Sequence, residues 1–237
     1  MRRIAKERKM SRVFLTGDTH IPIDISKLNT KNFPEQAELT KDDYLIILGD
    51  FGLIWNTIPD KEEEYWTKWL DEKPFTTLWV DGNHEHHIRL SGYPTSEFLG
   101  GKVHQISDSI YHLKRGEIFT INDEKFFVMG GANSIDKHRR IEGVSWWKEE
   151  IPSKEELAHG YKTIVDSELK VDYILSHCAP YSIESELFPD AQMNDLNSFL
   201  NVVHTVVEFK HWYCGHYHID RKLRENVTTL YDEKEEL

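Results

Sequence analysis

An α/β fold with a mixed sheet, or with two sheets packed together, is what this sequence predicts, and three observations carry the prediction. Short apolar runs ending in glycine or a polar cluster recur along the chain, helix-length segments lie between several of them, and one middle stretch has strands with little helix between them. With 237 residues, 39% hydrophobic and 12% aromatic, the chain has the length of one α/β domain and enough apolar surface for one core.

The elements follow in order. Residues 1–10 are basic (Arg2, Arg3, Lys6, Arg8, Lys9) but no apolar run of a secretory signal follows, so they read as a disordered tail ahead of a domain at 11–231. Strands are expected at 13–16, 44–48, 77–80, 126–129, 173–175 and 212–214, each a short apolar run. Helices are expected at 60–71, after His84, at 153–169 with Ser153 and Glu156 as a capping box, and at 195–207. Between 103 and 129 the pieces 110–113, 117–121 and 125–129, with a turn at Asn122-Asp123-Glu124, predict an antiparallel meander. The acidic end, 232–237, is expected to fray.

Composition excludes several roles. A formal net charge of -12 argues against a stable nucleic-acid complex, because each phosphate approached must be neutralised locally. No apolar stretch reaches the length of a membrane span. Cys178 and Cys214 are too few for a disulfide framework and suit a reducing cytosol; both read as small buried residues.

Polar residues able to bind metal fall directly behind the expected strands, where open α/β sheets form their crevices. The blocks are Gly17-Asp18-Thr19-His20, Gly49-Asp50-Phe51-Gly52, Gly82-Asn83-His84-Glu85, Ser176-His177 and Gly215-His216-Tyr217-His218. Each alone is weak; five in order, each behind an apolar run, point to one cleft. If 216–218 stays extended, His216 and His218 project to the same side and one loop delivers two imidazoles.

This ordered set, Asp18-x-His20, Gly49-Asp50, Gly82-Asn83-His84-Glu85, His177 and Gly215-His216-x-His218, resembles the signature blocks of the calcineurin-like metallophosphoesterases over residues 12–219. The resemblance implies a four-layer sandwich: two packed mixed β-sheets flanked by helices, with the metal site at the C-terminal ends of the strands. It further implies two divalent ions, one held by Asp18, His20 and His218, the other by Asn83, His177 and His216, with Asp50 bridging. Manganese is the first expectation, with Fe, Zn, Ni or Co compatible with the imidazole and carboxylate ligands. A hydroxide generated on the ions would attack a phosphate mono- or diester, small or nucleotide-like, while His84 acts as general acid.

One departure narrows the assignment. Protein Ser/Thr phosphatases of this superfamily carry an Asp three residues after the bridging Asp, followed by an Arg. Here Leu53 and Ile54 stand there, which disfavours phosphoprotein hydrolysis and requires another group to orient His84. The competing readings are such a phosphatase and a metal-bearing binding module without turnover. For the substrate phosphate, His138, Arg139 and Arg140, after the turn Gly130-Gly131-Ala132-Asn133, are the candidate clamp. Trp146 and Trp147 read as core or rim packing, His86 and His87 as a partly solvated helix turn, and Asn133 and Tyr217 as possible donors beside the site.

Overall fold

A computed structural model describes residues 10–237. The tail expected at 1–10 lies, up to residue 9, outside the described residues. Two mixed sheets pack face to face, as the sandwich requires. The strands are β1 (Val13–Thr16), β2 (Tyr44–Leu48), β3 (Thr76–Val80), β4 (Thr95–Phe98), β5 (Gly101–Gln105), β6 (Ile110–Leu113), β7 (Ile118–Ile121), β8 (Glu124–Met129), β9 (Tyr173–Ser176), β10 (His211–Cys214), β11 (Arg221–Arg224), β12 (Val227–Thr229) and β13 (Glu235–Glu236). One sheet runs β13-β1-β2-β3-β6-β5-β4 and the other β11-β12-β10-β9-β8-β7. The central strands are parallel: β1 to β2, β2 to β3 and β3 to β6 in the first sheet, β8 to β9, β9 to β10 and β10 to β12 in the second.

Strand side chains alternate between two cores, which is why the central strands read as unbroken apolar runs. Between the sheets, Leu15, Ile46, Leu48 and Leu78 meet Phe126, Val128 and Leu175. On the outer face of the first sheet, Phe14, Leu45, Ile47 and Trp79 pack on Leu70 of helix α1 (Lys61–Asp71). On the outer face of the second, Phe127, Ile174 and Trp212 pack on Ile164, Ile183 and Leu200. These come from α3 (Lys154–Asp166), α4 (Tyr181–Leu187) and α5 (Asp195–Val206); α2 (His87–Ser91) is the short helix after the third block. Local chemistry sets the helix starts: Asp60 accepts from the backbone of Glu62 and Glu63, and Ser153 with Glu156 forms the expected capping box.

Four expectations change. The meander does not form as one unit, because β6 stays in the first sheet, antiparallel to β5, while β7 and β8 form a hairpin in the second. Between them Gly116, at φ +77°, turns the chain, and Arg115 is buried on Asp81. Helix α3 ends at Asp166, short of 169, because Glu168 and Leu169 adopt positive φ. The acidic end does not fray: β13 pairs antiparallel with β1, and Arg12 binds Glu236 at 2.5 Å and 2.8 Å. Strands β4, β5, β11 and β12 were not expected, since their residues are mostly polar and lie toward sheet edges. No helix among the described residues is long and apolar enough to cross a membrane.

Candidate metal centre

All five blocks converge at the C-terminal ends of β1, β2, β3, β9 and β10. Asp18 and Asp50 are buried, and three groups of side chains come close enough to share an ion: Asp18, His20 and His218; Asp50, His177 and His216; and His20, Asp50 and His84. The two carboxylate oxygens of Asp50 diverge. Oδ1 lies 3.2 Å from His177 Nε2, and Oδ2 lies 3.3 Å from His20 Nε2. His216 Nδ1 is 3.2 Å from His177 Nε2, and His218 Nε2 is 3.0 Å from Asp18 Oδ2.

The polar atoms left over identify what the cluster suits. Asn83 Oδ1 is buried without a hydrogen-bond partner, an arrangement that costs free energy unless a cation completes it, and buried Asp18 Oδ2 has the His218 ring nitrogen beside it. Neighbouring groups hold the candidate ligand atoms in place. His177 Nδ1 sits 2.7 Å from the Leu48 carbonyl, to which it donates, so Nε2 faces the centre. His20 Nδ1 is 2.8 Å from Asp24, which likewise turns Nε2 inward. Asn83 donates from Nδ2 to Ser134, whose hydroxyl and backbone N–H both bind Glu150, and this leaves Oδ1 free. Oxygen and imidazole donors without thiolate fit a divalent transition ion.

Electrostatics agree with that fit. Burial works against charge throughout the site. Even so, the neighbouring Asp50 and Asp18 raise His177 to about 10, and the His177 charge holds Asp50 well below the usual carboxylate range. Burial and the His177 charge push His216 down to about 4. Glu85, fully buried, goes the other way: burial and the Asp50 charge raise it well above its usual range, and its Oε1 accepts from the Phe51 N–H.

Not every residue sits as expected. The 216–218 stretch is bent, with His216 at φ +72° and His218 at φ +52°, yet both rings reach the cluster. His20 and Asp50 also have positive φ, so four site residues occupy the left-handed region. His84 donates its backbone N–H to Asp50 Oδ1 at 2.7 Å, and its ring stacks on Trp55 at 5.6 Å and 19°. Arg140 Nη2 lies 3.2 Å from His84 Nε2, while His138 and Arg139 are exposed on the adjoining 3-10 turn, Lys137–Arg139. Of the expected clamp, the structure brings only Arg140 to the site. Leu53 and Ile54 are in the core.

His86 and His87, expected on a solvated turn, are buried, because Trp147 covers His86 at 4.6 Å and Asp81 lies 3.9 Å from His87. Trp147 packs inside against Trp55, Trp146 stays half-buried near Lys137, and Tyr217 accepts from the Ala179 N–H. Cys178 and Cys214 are buried free thiols. Five supporting residues escaped the sequence reading: Asp24, Trp55, Ser134, Glu150, and Tyr231, which stacks on His218 at 4.8 Å and 16°. Asp24 lies four residues after His20, a spacing that carries a signal only when the turn between them is known.

Among solved structures, the chain aligns with GAP50, the anchor in the inner membrane complex of Plasmodium, at TM-score 0.45 and 12% identity, over 93% of this chain and 71% of that one. It also aligns with a protein assigned as a 5'-nucleotidase from Staphylococcus aureus, in complex with α-ketoglutarate, at TM-score 0.44 and 16% identity. That match covers 93% of this chain and 48% of the other, so the chain spans about half its length. No curated protein matches. The sequence profile of the calcineurin-like phosphoesterases matches residues 11–220, a span that contains all five blocks, and the chain therefore belongs to this family of metal-dependent phosphoesterases.

Proposed function

We propose that this protein is a dinuclear phosphoesterase that hydrolyses a small or nucleotide-like phosphate ester. The observation that carries the reading is the divergence of the Asp50 oxygens, one toward His177 and one toward His20, which suits a single carboxylate between two cations. Asp18, His20 and His218 would hold one ion and Asn83, His177 and His216 the other, with manganese the first choice. When bound, the ions supply a nucleophile by lowering the pKa of water toward about 7, and they offset charge on the phosphoryl oxygens.

The chain's own residues do the rest. Asp24, the Leu48 carbonyl and Ser134 keep the donor atoms aimed before substrate arrives. Arg140 turns from His84 to a phosphoryl oxygen and neutralises part of its charge. His84 then gives its proton to the departing alkoxide. Burial and the Arg140 charge lower its pKa in the free protein, and the incoming phosphate offsets both effects. Trp55 takes the place of the missing Asp as the surface that holds the ring. The buried, unpaired thiols fit a cytosolic location.

The test is hydrolysis of aryl phosphate mono- and diesters by protein loaded with Mn²⁺. Normal metal binding with no turnover of either ester supports the binding-module reading instead. Faster hydrolysis of a phosphopeptide supports the protein phosphatase reading. In the active protein, His84→Ala is expected to keep its metal content and lose about 10²–10⁴ in kcat, the usual loss for a general acid. Unchanged kcat removes His84 from the reaction.

A further inference from the structure

A cavity of about 620 Å³ opens beside His216 and His218. Part of its wall is apolar: Phe188, 45% exposed, lies nearly parallel to Tyr217 at 5.4 Å and 28°, and Ile135 is 87% exposed. Asp190 also lines it, and the ammonium group in its wall, Lys137, is turned onto the Asn133 side-chain oxygen at 3.0 Å. His84 and Arg140 are not in this wall. The ring of His20, 5.2 Å from His84 and 4.9 Å from His218, links the two flanks of the centre.

That separation bears on the kind of ester. In a phosphate monoester the single substituent is the one that leaves, and its oxygen must lie against the proton donor. A cavity away from His84 suits a substituent that stays on phosphorus. Building on the phosphoesterase reading above, we propose that the substrate is a phosphodiester whose retained arm, an uncharged aromatic group of nucleoside size, occupies this cavity. The leaving arm lies against His84 and Arg140.

The walls set the arm's chemistry. The face of Phe188 accepts a planar ring, and Asn133 and Gln192 supply amides for its polar edge. Asp190, with Lys137 already engaged, gives a second phosphate or a carboxylate no complement. In the reaction a bond forms from a water-derived oxygen to phosphorus, and the ester P–O bond on the His84 flank breaks. The departing alkoxide takes the His84 proton, the proton from water restores His84, and the products are an alcohol and the monoester of the retained arm.

The experiment compares bis(4-nitrophenyl) phosphate with 4-nitrophenyl phosphate, using metal-loaded wild type, Phe188→Ala and Ile135→Asp, both variants at solvent-reached positions. Wild type is expected to prefer the diester in kcat/KM, and each variant to raise the diester KM about 10-fold with kcat held, the scale of a lost aromatic or apolar contact. Calorimetry adds a second readout: affinity for phenylphosphonate, relative to inorganic phosphate, is expected to fall by a similar factor. Wild-type KM and phosphonate affinity in both variants overturn the cavity assignment. Turnover of the monoester alone overturns the diester proposal and leaves the phosphoesterase reading standing; turnover of neither overturns both.

Discussion

Asp50 and His177 are fully buried and face each other at 3.2 Å, each holding the other charged. In the metal-free protein the His177 proton supplies part of the positive charge that cations would otherwise bring. Asp50→Asn removes the anion proposed to be common to both ion positions. The expected result is loss of both metals after dialysis, read by elemental analysis; full occupancy would contradict the bridge. The residues that cluster at the site were legible in the sequence because Asp, Asn and His behind apolar runs form a pattern with fixed order. Trp55 and Tyr231 were not, since a single aromatic side chain carries no spacing that tells a stack on a histidine from ordinary packing. Arg140 was legible only as part of a basic run, and the fold separates it from Arg139 and His138.

At the scale of elements, the central strands and most helices stood where apolar runs and caps placed them. Edge strands did not, because β11 exposes Arg221, Lys222 and Arg224, a composition that reads as loop. The meander was misread for a different reason: local alternation specifies a strand but not which of two sheets receives it. The turns behind the strands are the most constrained pieces. A Cβ on Gly82 would collide with the Asp50 side chain and backbone, and one on Gly49, at φ +96°, would enter the His177 ring. Gly82→Ala is therefore expected to cost at least about 1–3 kcal/mol in urea unfolding, the scale of overpacking, and to reduce bound metal. Wild-type stability together with wild-type metal content would show that the turn yields more easily than this packing implies.

For the whole molecule, acid stability is set partly away from the metal centre. Asp81, Arg115, His112, His104 and Lys114 form a connected network under the third block. Burial, aided by neighbouring cations, pushes His87 and His104 down to about 3. Unfolded, both take up a proton near pH 6.5, so the stability they contribute is intact above about 6.5 and is lost as pH falls toward about 3. Urea midpoints are expected to drop between pH 7 and 4.5, and His104→Gln to flatten that drop; an equal slope in the variant would exclude His104 as a source. The overall charge of -12, which argued against polyanion binding, left this internal balance invisible because pairing depends on folding. The C-terminal segment has another consequence. Tyr231 lies on His218, Lys27 donates to the carbonyls of both Asp18 and Tyr231, and β13 closes against β1. On the proposed ligand assignment, a nascent chain can hold neither ion fully until His216 and His218 have left the ribosome, so Asp18 and His20, made about 200 residues earlier, wait for them.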